Sequence, residues 1–209
     1  ALQLAECTVG LVVGVTLMLG RGVGTSFAVA GMTSARGRSR TFDERADGYA
    51  RGEACGGVAL RRRRADGGER DGALVLCGSA VRQDGRSASL TAPNGQAQRG
   101  LLVAARNDAG DTIDALTLNE THGTGTALGD PIEAGSLAAA VGPLMLAVGG
   151  IKANVGHAEP AAGMTGLVKL VLNRRLSEAA PNAQLRSLNP HVGGALCDVV
   201  YTLPTQLAA

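Results

Sequence analysis

The stretch Glu120–Ala134 reads E-T-H-G-T-G-T-A-L-G-D-P-I-E-A, and Lys152–His157, further along the chain, reads K-A-N-V-G-H. Each stretch sets one histidine in a glycine-rich loop that follows an apparent buried strand. Histidine titrates near neutral pH and serves as a proton donor, a proton acceptor or an electrophile. Glycine lets the backbone approach a ligand closely. We therefore predict that His122 and His157 lie in one composite site.

Apolar runs and helix signals around these loops predict an α/β fold. Buried strands are expected at Gly10–Leu17, Cys55–Leu60, Ala73–Ala80, Thr112–Leu118 and Leu144–Val148. Helices are expected from after Pro93 to about Asn107, from Asp130 to Val141, and from after Pro160 to Arg175. Strands that alternate with helices form a layered sheet, whose functional sites lie at the carboxyl ends of the strands. Both histidine loops leave such ends, and no linker divides residues 1–209, so we expect no internal domain boundary.

The second of these helices has a defined start in the sequence. Asp130 is placed to cap it, Pro131 fits the first helical position, and Glu133 would complete a capping box. The acidic residues Asp130 and Glu133 are therefore interpreted as helix caps rather than as an acid/base pair.

Composition argues against several classes of function. The 209 residues carry a formal net charge of +2, which points to neither nucleic acid nor an anionic membrane as a partner. The apolar run Val9–Leu19 is too short to span a bilayer. The four cysteines are widely spaced, so we expect no metal site but reduced, mostly buried thiols in a cytoplasmic protein. Because aromatic residues make up only 2% of the chain, small aliphatic side chains are expected to fill the core.

Further segments carry a family resemblance that runs almost from end to end. They are T-F-D-E-R-A-D-G-Y-A-R-G-E-A-C-G (Thr41–Gly56), G-S-A-V-R-Q-D-G-R-S (Gly78–Ser87), L-T-A-P-N-G (Leu90–Gly95), the stretch Ile151–Gly163 and L-N-P-H (Leu188–His191). These five segments and the His122 loop, six in all, resemble in the same order the β-ketoacyl synthase (ketosynthase) domain of modular type I polyketide synthases.

This resemblance implies an α/β thiolase-like layered α-β-α-β-α fold, here incomplete. It also implies a decarboxylative Claisen condensation between acyl and malonyl-type thioesters, as in polyketide and fatty-acid-like synthesis. Matched by motif, the catalytic residues are His122 and His157, with Lys152 as the supporting lysine. The resemblance implies no bound cofactor. It implies substrates carried on the phosphopantetheine of an acyl carrier protein, and a homodimer as in the full family.

Two segments of the family pattern are not found in this sequence. One is the D-T-A-C-S-S-S stretch that carries the nucleophilic cysteine, and the other is a glycine-rich G-F-G-G-T-N-A-H-type stretch. None of Cys7, Cys55, Cys77 and Cys197 matches the nucleophile. The sequence is therefore interpreted as a partial ketosynthase, whose partners would be the missing segments or neighbouring polyketide synthase domains.

Three hypotheses remain open at this point. The first is that the chain supplies part of a condensing enzyme, the second that it retains only malonyl decarboxylation, and the third that it is a non-catalytic remnant or structural subunit. The third hypothesis predicts an exposed apolar edge. A dinucleotide site in the loop Gly123–Gly129 is a weaker alternative, because the glycine spacing misses the G-x-G-x-x-G pattern by one residue.

Overall fold

The computed structural model describes residues 2–62, 74–89, 92–110, 116–143, 145–197 and 199–206. Its strands are β1 (Val9–Thr16), β2 (Ala54–Arg61), β3 (Leu118–Glu120), β4 (Met145–Gly149) and β5 (Val200–Thr202). Its helices are α1 (Gly22–Val29), α2 (Gly95–Asp108), α3 (Gly129–Val141), α4 (Lys152–Val155), α5 (Ala162–Leu176) and α6 (Pro190–Ala195). A 3₁₀ turn over Glu159–Ala161 leads into α5.

The first two strands form an antiparallel pair. They run in register from Val9 opposite Arg61 to Thr16 opposite Ala54. Gly14 of β1 lies against the 3₁₀ turn, and α5 packs on β2, so one face of the pair is partly covered. On β1, Leu11, Val13 and Val15 remain exposed. The described chain therefore presents an apolar sheet face that none of its own described residues covers.

The other three strands form a parallel sheet in the order β3–β4–β5, and this sheet carries the core. Leu146 and Val148 of the central strand are each 1% exposed. They belong to a cluster of eight buried residues, which are Phe42, Ala134, Leu137, Leu146, Val148, Leu185, Val192 and Leu196. Aliphatic side chains fill this core as expected, but Phe42 is also buried in it.

Most of the predicted elements are confirmed. The strands β1, β2 and β4 and the helices α2, α3 and α5 lie where the patterns place them, within a few residues. Asn94 caps α2 by accepting the backbone N–H groups of Gln96 and Ala97. In the predicted strand Thr112–Leu118, residues 112–115 lie outside the described residues, and β3 begins at Leu118. Residue 144 of another predicted strand is also outside them.

The strand predicted at Ala73–Ala80 is wrong for its described part, because residues 74–80 form no strand. Here Ser79 donates its N–H to the Asp108 carboxylate at 2.8 Å, and Gly78 lies against the last turn of α2. The segment is therefore held by a helix end rather than by a neighbouring strand. Residue 73 lies outside the described residues.

Two expectations about polar side chains also fail. Asp130 and Glu133 do not cap α3, since the helix begins at Gly129 with no side-chain cap and both carboxylates bind backbone N–H groups elsewhere. The thiols are not mostly buried: Cys55, Cys77 and Cys197 are exposed, and Cys7 is intermediate. No helix within the described ranges has both the length and the apolarity needed to cross a membrane.

Candidate active site

The two histidine loops meet because they leave adjacent parallel strands. Strand β3 ends at Glu120 and β4 ends at Gly149, and these two residues are partners in the ladder. The chain then turns into His122 on one side and into α4, which begins at Lys152, on the other. Further on, His157 returns toward His122, and their ring centroids are 5.3 Å apart at an interplanar angle of 85°. The sequence prediction that the two rings lie close together is confirmed.

Two carboxylates from the start of α3 hold the His122 loop. Glu133 accepts the N–H groups of both His122 and Gly123, the second at 2.8 Å. Asp130 accepts those of Gly125 at 3.1 Å, Thr126 at 3.3 Å and Phe42 at 2.8 Å. Burial raises the pKa of Asp130 to about 6 and also raises the pKa of Glu133, while the backbone N–H groups that each carboxylate accepts oppose the shift. The acidic pair that resembled helix caps therefore fixes the backbone on either side of the loop.

A glycine in this loop allows close contact between two chain segments. Gly125 has a φ of +78°, a left-handed conformation that side-chain-bearing residues rarely adopt. A Cβ at this position would lie 2.6 Å from the backbone nitrogen of Arg40. The motif glycine is thus required both for its conformation and for the approach of the Ser39–Arg40 backbone.

Lys152 lies beneath the histidine pair and is only 4% exposed. Its ammonium group donates a hydrogen bond to the backbone carbonyl of His122. Burial lowers the pKa of Lys152, while the nearby carboxylates Glu133, Glu120 and Asp130 oppose that shift. The lysine therefore links the backbones of the two loops and places a positive charge close to both imidazoles.

The orientation of His157 is set by its own loop. Its Nδ1 accepts the backbone N–H of Glu159 at 2.9 Å, so the proton of the neutral ring is on Nε2. Its backbone is held by Ala50 and Gly52, through bonds of 2.7 and 2.9 Å. The ring of Tyr49 stands edge-on to it at a centroid distance of 4.9 Å. His157 is therefore fixed as a donor that presents Nε2–H.

An ion pair extends this support to the R-G-E segment. The guanidinium of Arg51 donates to both carboxylate oxygens of Glu159, at 2.7 and 3.2 Å. Such a bidentate pair fixes geometry as well as charge. Because Glu159 also donates its backbone N–H to His157, Arg51 helps to hold the residue that sets the histidine tautomer.

Both imidazoles are neutral at physiological pH. Desolvation by the surrounding protein, followed by the charge of Lys152 and the neighbouring His157, lowers the pKa of His122 from 6.5 to about 4. Burial and Lys152 lower the pKa of His157 from 6.5 to about 4, against the opposing charge of Glu159. Residues with such shifted pKa values beside a cavity are typical of catalytic sites. The pair can donate hydrogen bonds without carrying charge.

A cavity of about 620 Å³ opens over the two rings. Its lining combines the histidines with a mainly apolar wall that includes Met32, Leu101, Leu102 and Leu128. An apolar pocket with a few converging polar groups is the usual form of a small-molecule site. None of the four cysteines is among the described residues that line it, and the described ranges contain no cluster of potential metal ligands.

The sequence motifs pointed to His122, His157 and Lys152, and the structure brings all three together. The motifs did not indicate the roles of Glu133, Asp130 and Tyr49. The signal for the two acids was present, because they follow the loop within the same motif, but local capping rules gave them another partner. Nothing in the sequence around Tyr49 indicated contact with a histidine more than 100 residues away.

Two neutral imidazoles, one of fixed tautomer, at the wall of an apolar cavity can donate hydrogen bonds to a carbonyl-type oxygen. Comparison with known protein families identifies the family of this chain. The model for the beta-ketoacyl synthase C-terminal domain matches residues 73–186, and that for the N-terminal domain matches residues 1–65. The chain belongs to the β-ketoacyl synthase family.

Curated relatives and solved structures narrow the comparison to ketosynthase domains. A phenolphthiocerol/phthiocerol polyketide synthase of Mycobacterium tuberculosis is 42% identical over 202 residues, which are 92% of this chain and 11% of that protein. The oxazolomycin ketosynthase domain of Streptomyces albus JA3453 superposes with a TM-score of 0.90 and 35% identity, over 100% of this chain and 37% of that one. A ketosynthase from module 6 of the bacillaene synthase of Bacillus subtilis 168 superposes with a TM-score of 0.89 and 30% identity, again over 100% and 37%.

These matches confirm the expected resemblance to a partial polyketide-type ketosynthase and its thiolase-like layered fold. The chain spans about a tenth of the length of the curated relatives and somewhat more than a third of the solved domains. It therefore accounts for one part of such a domain.

Proposed function

We propose that this chain forms the histidine half of a ketosynthase site, which acts in the decarboxylative Claisen condensation of acyl and malonyl-type thioesters. The observation that carries this proposal is the neutral pair His122 and His157, with ring centroids 5.3 Å apart at the wall of an apolar cavity. Condensation is the general activity of the family to which the chain belongs.

The chemistry assigned to the pair follows from where charge develops. When a malonyl thioester loses carbon dioxide, the electron pair of the broken C–C bond delocalises onto the thioester oxygen as an enolate. Donors placed at that oxygen stabilise the charge, and each is typically worth about 3–4 kcal/mol in the transition state. His157 offers Nε2–H because its Nδ1 accepts the Glu159 N–H. In the proposal, the ring of His122 supplies the second donor.

Lys152 acts as a supporting residue in this proposal. Its ammonium group holds the His122 carbonyl, and its charge favours the neutral form of both imidazoles. A protonated imidazole would bind the malonyl carboxylate as an ion pair and so stabilise the ground state, which does not accelerate the reaction.

We further propose that the substrates arrive on the phosphopantetheine of an acyl carrier protein and that no cofactor is bound by the chain itself. The nucleophilic cysteine and the glycine-rich loop would come from other ketosynthase segments or neighbouring domains, within a homodimer. We also propose that the two family-matched segments form one unit without a domain boundary. Support comes from Asp130 in the second segment, which accepts the N–H of Phe42 in the first at 2.8 Å.

One observation favours a narrower activity as the second candidate. The cavity holds both histidines, but its described lining includes no cysteine. Malonyl decarboxylation needs the donors at the thioester oxygen and no acyl-cysteine, so this step would not require the rest of the condensation machinery. A non-catalytic role in an assembly is the third candidate, which the exposed apolar face of β1 favours.

The test of the main proposal measures carbon dioxide and ketoacyl product from malonyl- and acyl-carrier protein, in the protein that carries this chain together with the cysteine segment. We expect His122→Ala or His157→Ala to lower the decarboxylation rate by about a hundredfold or more, as for loss of one oxyanion donor. Product formation that stays unchanged in both variants would refute the assigned chemistry. Carbon dioxide release without ketoacyl product would select the decarboxylase alternative.

A further inference from the structure

A buried ion pair lies beside the site, at the junction of β3 and α5. The ammonium of Lys169 contacts a carboxylate oxygen of Glu120 at 2.6 Å, and their side chains are only 6% and 5% exposed. Glu120 lies two residues before His122 in the chain. Glu120 is among the residues that line the cavity, whereas Lys169, which projects from α5, is not among the described lining residues.

The two carboxylate oxygens of Glu120 have different partners. Oε2 accepts from Lys169, while Oε1 accepts the backbone N–H of Ile151. Ile151 directly precedes Lys152, whose ammonium binds the His122 carbonyl. Two hydrogen bonds therefore join the two loops: Glu120 accepts from Ile151, and Lys152 donates to His122. The chain itself connects Ile151 to Lys152 and Glu120 to His122.

The space for this pair is provided by glycine. A Cβ on Gly149 would lie 2.5 Å from Lys169 Nζ and 3.0 Å from Glu120 Oε2. Gly149 is also the ladder partner of Glu120, and its carbonyl accepts the N–H of Thr121 at 2.9 Å. The ion pair thus lies directly against the two strand ends from which the histidine loops depart.

The contribution of the ion pair to stability differs from its effect on the position of the neighbouring backbone. Taking two charges out of water costs roughly as much as their attraction returns, so replacing a buried pair by apolar residues is often neutral for stability. An apolar pair, however, cannot accept the Ile151 N–H. What such a replacement removes is the acceptor that fixes the start of α4 against the His122 loop.

We infer that Glu120 and Lys169 are a positioning pair, which sets the separation of the Lys152 and His122 loops by holding the Ile151 N–H. Lys169 orients the carboxylate, and Glu120 transmits that orientation to the backbone before Lys152. This inference rests on the proposed function in so far as it concerns the reaction, because the loops it positions carry the proposed catalytic residues.

Two double variants of equal net charge test the hydrogen-bond acceptor for the Ile151 N–H separately from the charges of the pair. Glu120→Gln with Lys169→Met removes both charges but keeps a carbonyl oxygen for the Ile151 N–H. Glu120→Met with Lys169→Met removes both charges and the acceptor as well. Both are made in the protein that carries this chain and are first compared by cooperative thermal unfolding.

In the malonyl decarboxylation assay we expect the kcat of the variant with Glu120→Met and Lys169→Met (the Met/Met variant) to be at least about tenfold below that of the variant with Glu120→Gln and Lys169→Met (the Gln/Met variant), at unchanged KM. A loss of the same size in both variants, or in neither, would overturn the inference, because the acceptor would then make no difference.

A second measurement does not depend on activity. Hydrogen exchange of the Ile151 amide should accelerate in the Met/Met variant and stay slow in the Gln/Met variant. Equal exchange in the two variants would contradict the positioning role even if the protein proves inactive. If the unaltered protein releases no carbon dioxide while this exchange difference is present, the proposed function fails and the positioning pair stands.

Discussion

The substitution Glu133→Gln tests whether one carboxylate holds the His122 loop. In the structure the two carboxylate oxygens of Glu133 accept the backbone N–H groups of His122 and Gly123. A glutamine keeps one acceptor and turns an NH₂ donor toward the other N–H group. Hydrogen bonds to charged groups contribute about 1.5–3 kcal/mol each. We therefore expect the free energy of unfolding to fall by about 2–3 kcal/mol, since one such bond is lost and a buried donor is left unpaired.

The assay is urea denaturation followed by far-ultraviolet circular dichroism, since the chain contains no tryptophan to serve as a fluorescent probe. Glu44→Gln is the matched control, because Glu44 is exposed and should change stability by less than about 0.5 kcal/mol. Decarboxylation should fall along with stability, because the backbone of His122 loses its support. If Glu133→Gln unfolds at the same urea concentration as the control, the carboxylate does not hold the loop as described.

Three further predictions concern protonation, backbone conformation and the core. The pKa values of His122 and His157 are lowered in the folded state to about 4, so the unfolded chain binds more protons than the folded chain between about pH 4 and 6.5. The free energy of unfolding therefore falls as the pH drops through that window. NMR titrations of the two histidines should show no midpoint above about 5, and midpoints near 6.5 would contradict the desolvated site. Gly125→Ala should destabilise the protein by more than Gly110→Ala in thermal unfolding. Both glycines have a φ of +78°, but of the two only Gly125 has neighbours among the described residues that leave no space for a Cβ, and equal losses would argue against the close approach. Phe42→Ala should cost about 3–5 kcal/mol, and clearly more than Phe27→Ala outside the core cluster; similar costs would place the core elsewhere.

The sequence predicted the site better than it predicted the contacts that hold the site. His122, Lys152 and His157 were identifiable because each lies in a local motif, and the strand ends that bring the motifs together carried clear apolar runs. Glu120 and Lys169 were not identified, because a contact between residues 49 positions apart leaves no local signal.

The failures have physical reasons of the same kind. Asp130 and Glu133 satisfy the local rule for a helix start, but the tightly turned loop before α3 presents several N–H groups that compete successfully for the carboxylates. The segment 74–80 has an apolar pattern suited to a strand, but its Ser79 N–H binds Asp108 at the end of α2. In both cases tertiary contacts decided between options that local patterns could not distinguish.

The contact between the Glu159 amide and Nδ1 of His157 limits how protons can travel through the site. An imidazole relays a proton by taking it up on one nitrogen and releasing it from the other. Here the inner nitrogen faces a backbone amide that cannot accept a proton and offers no route onward, so the ring is a dead end for proton transport. A proton that quenches a carbanion in this cavity would therefore not be relayed through His157.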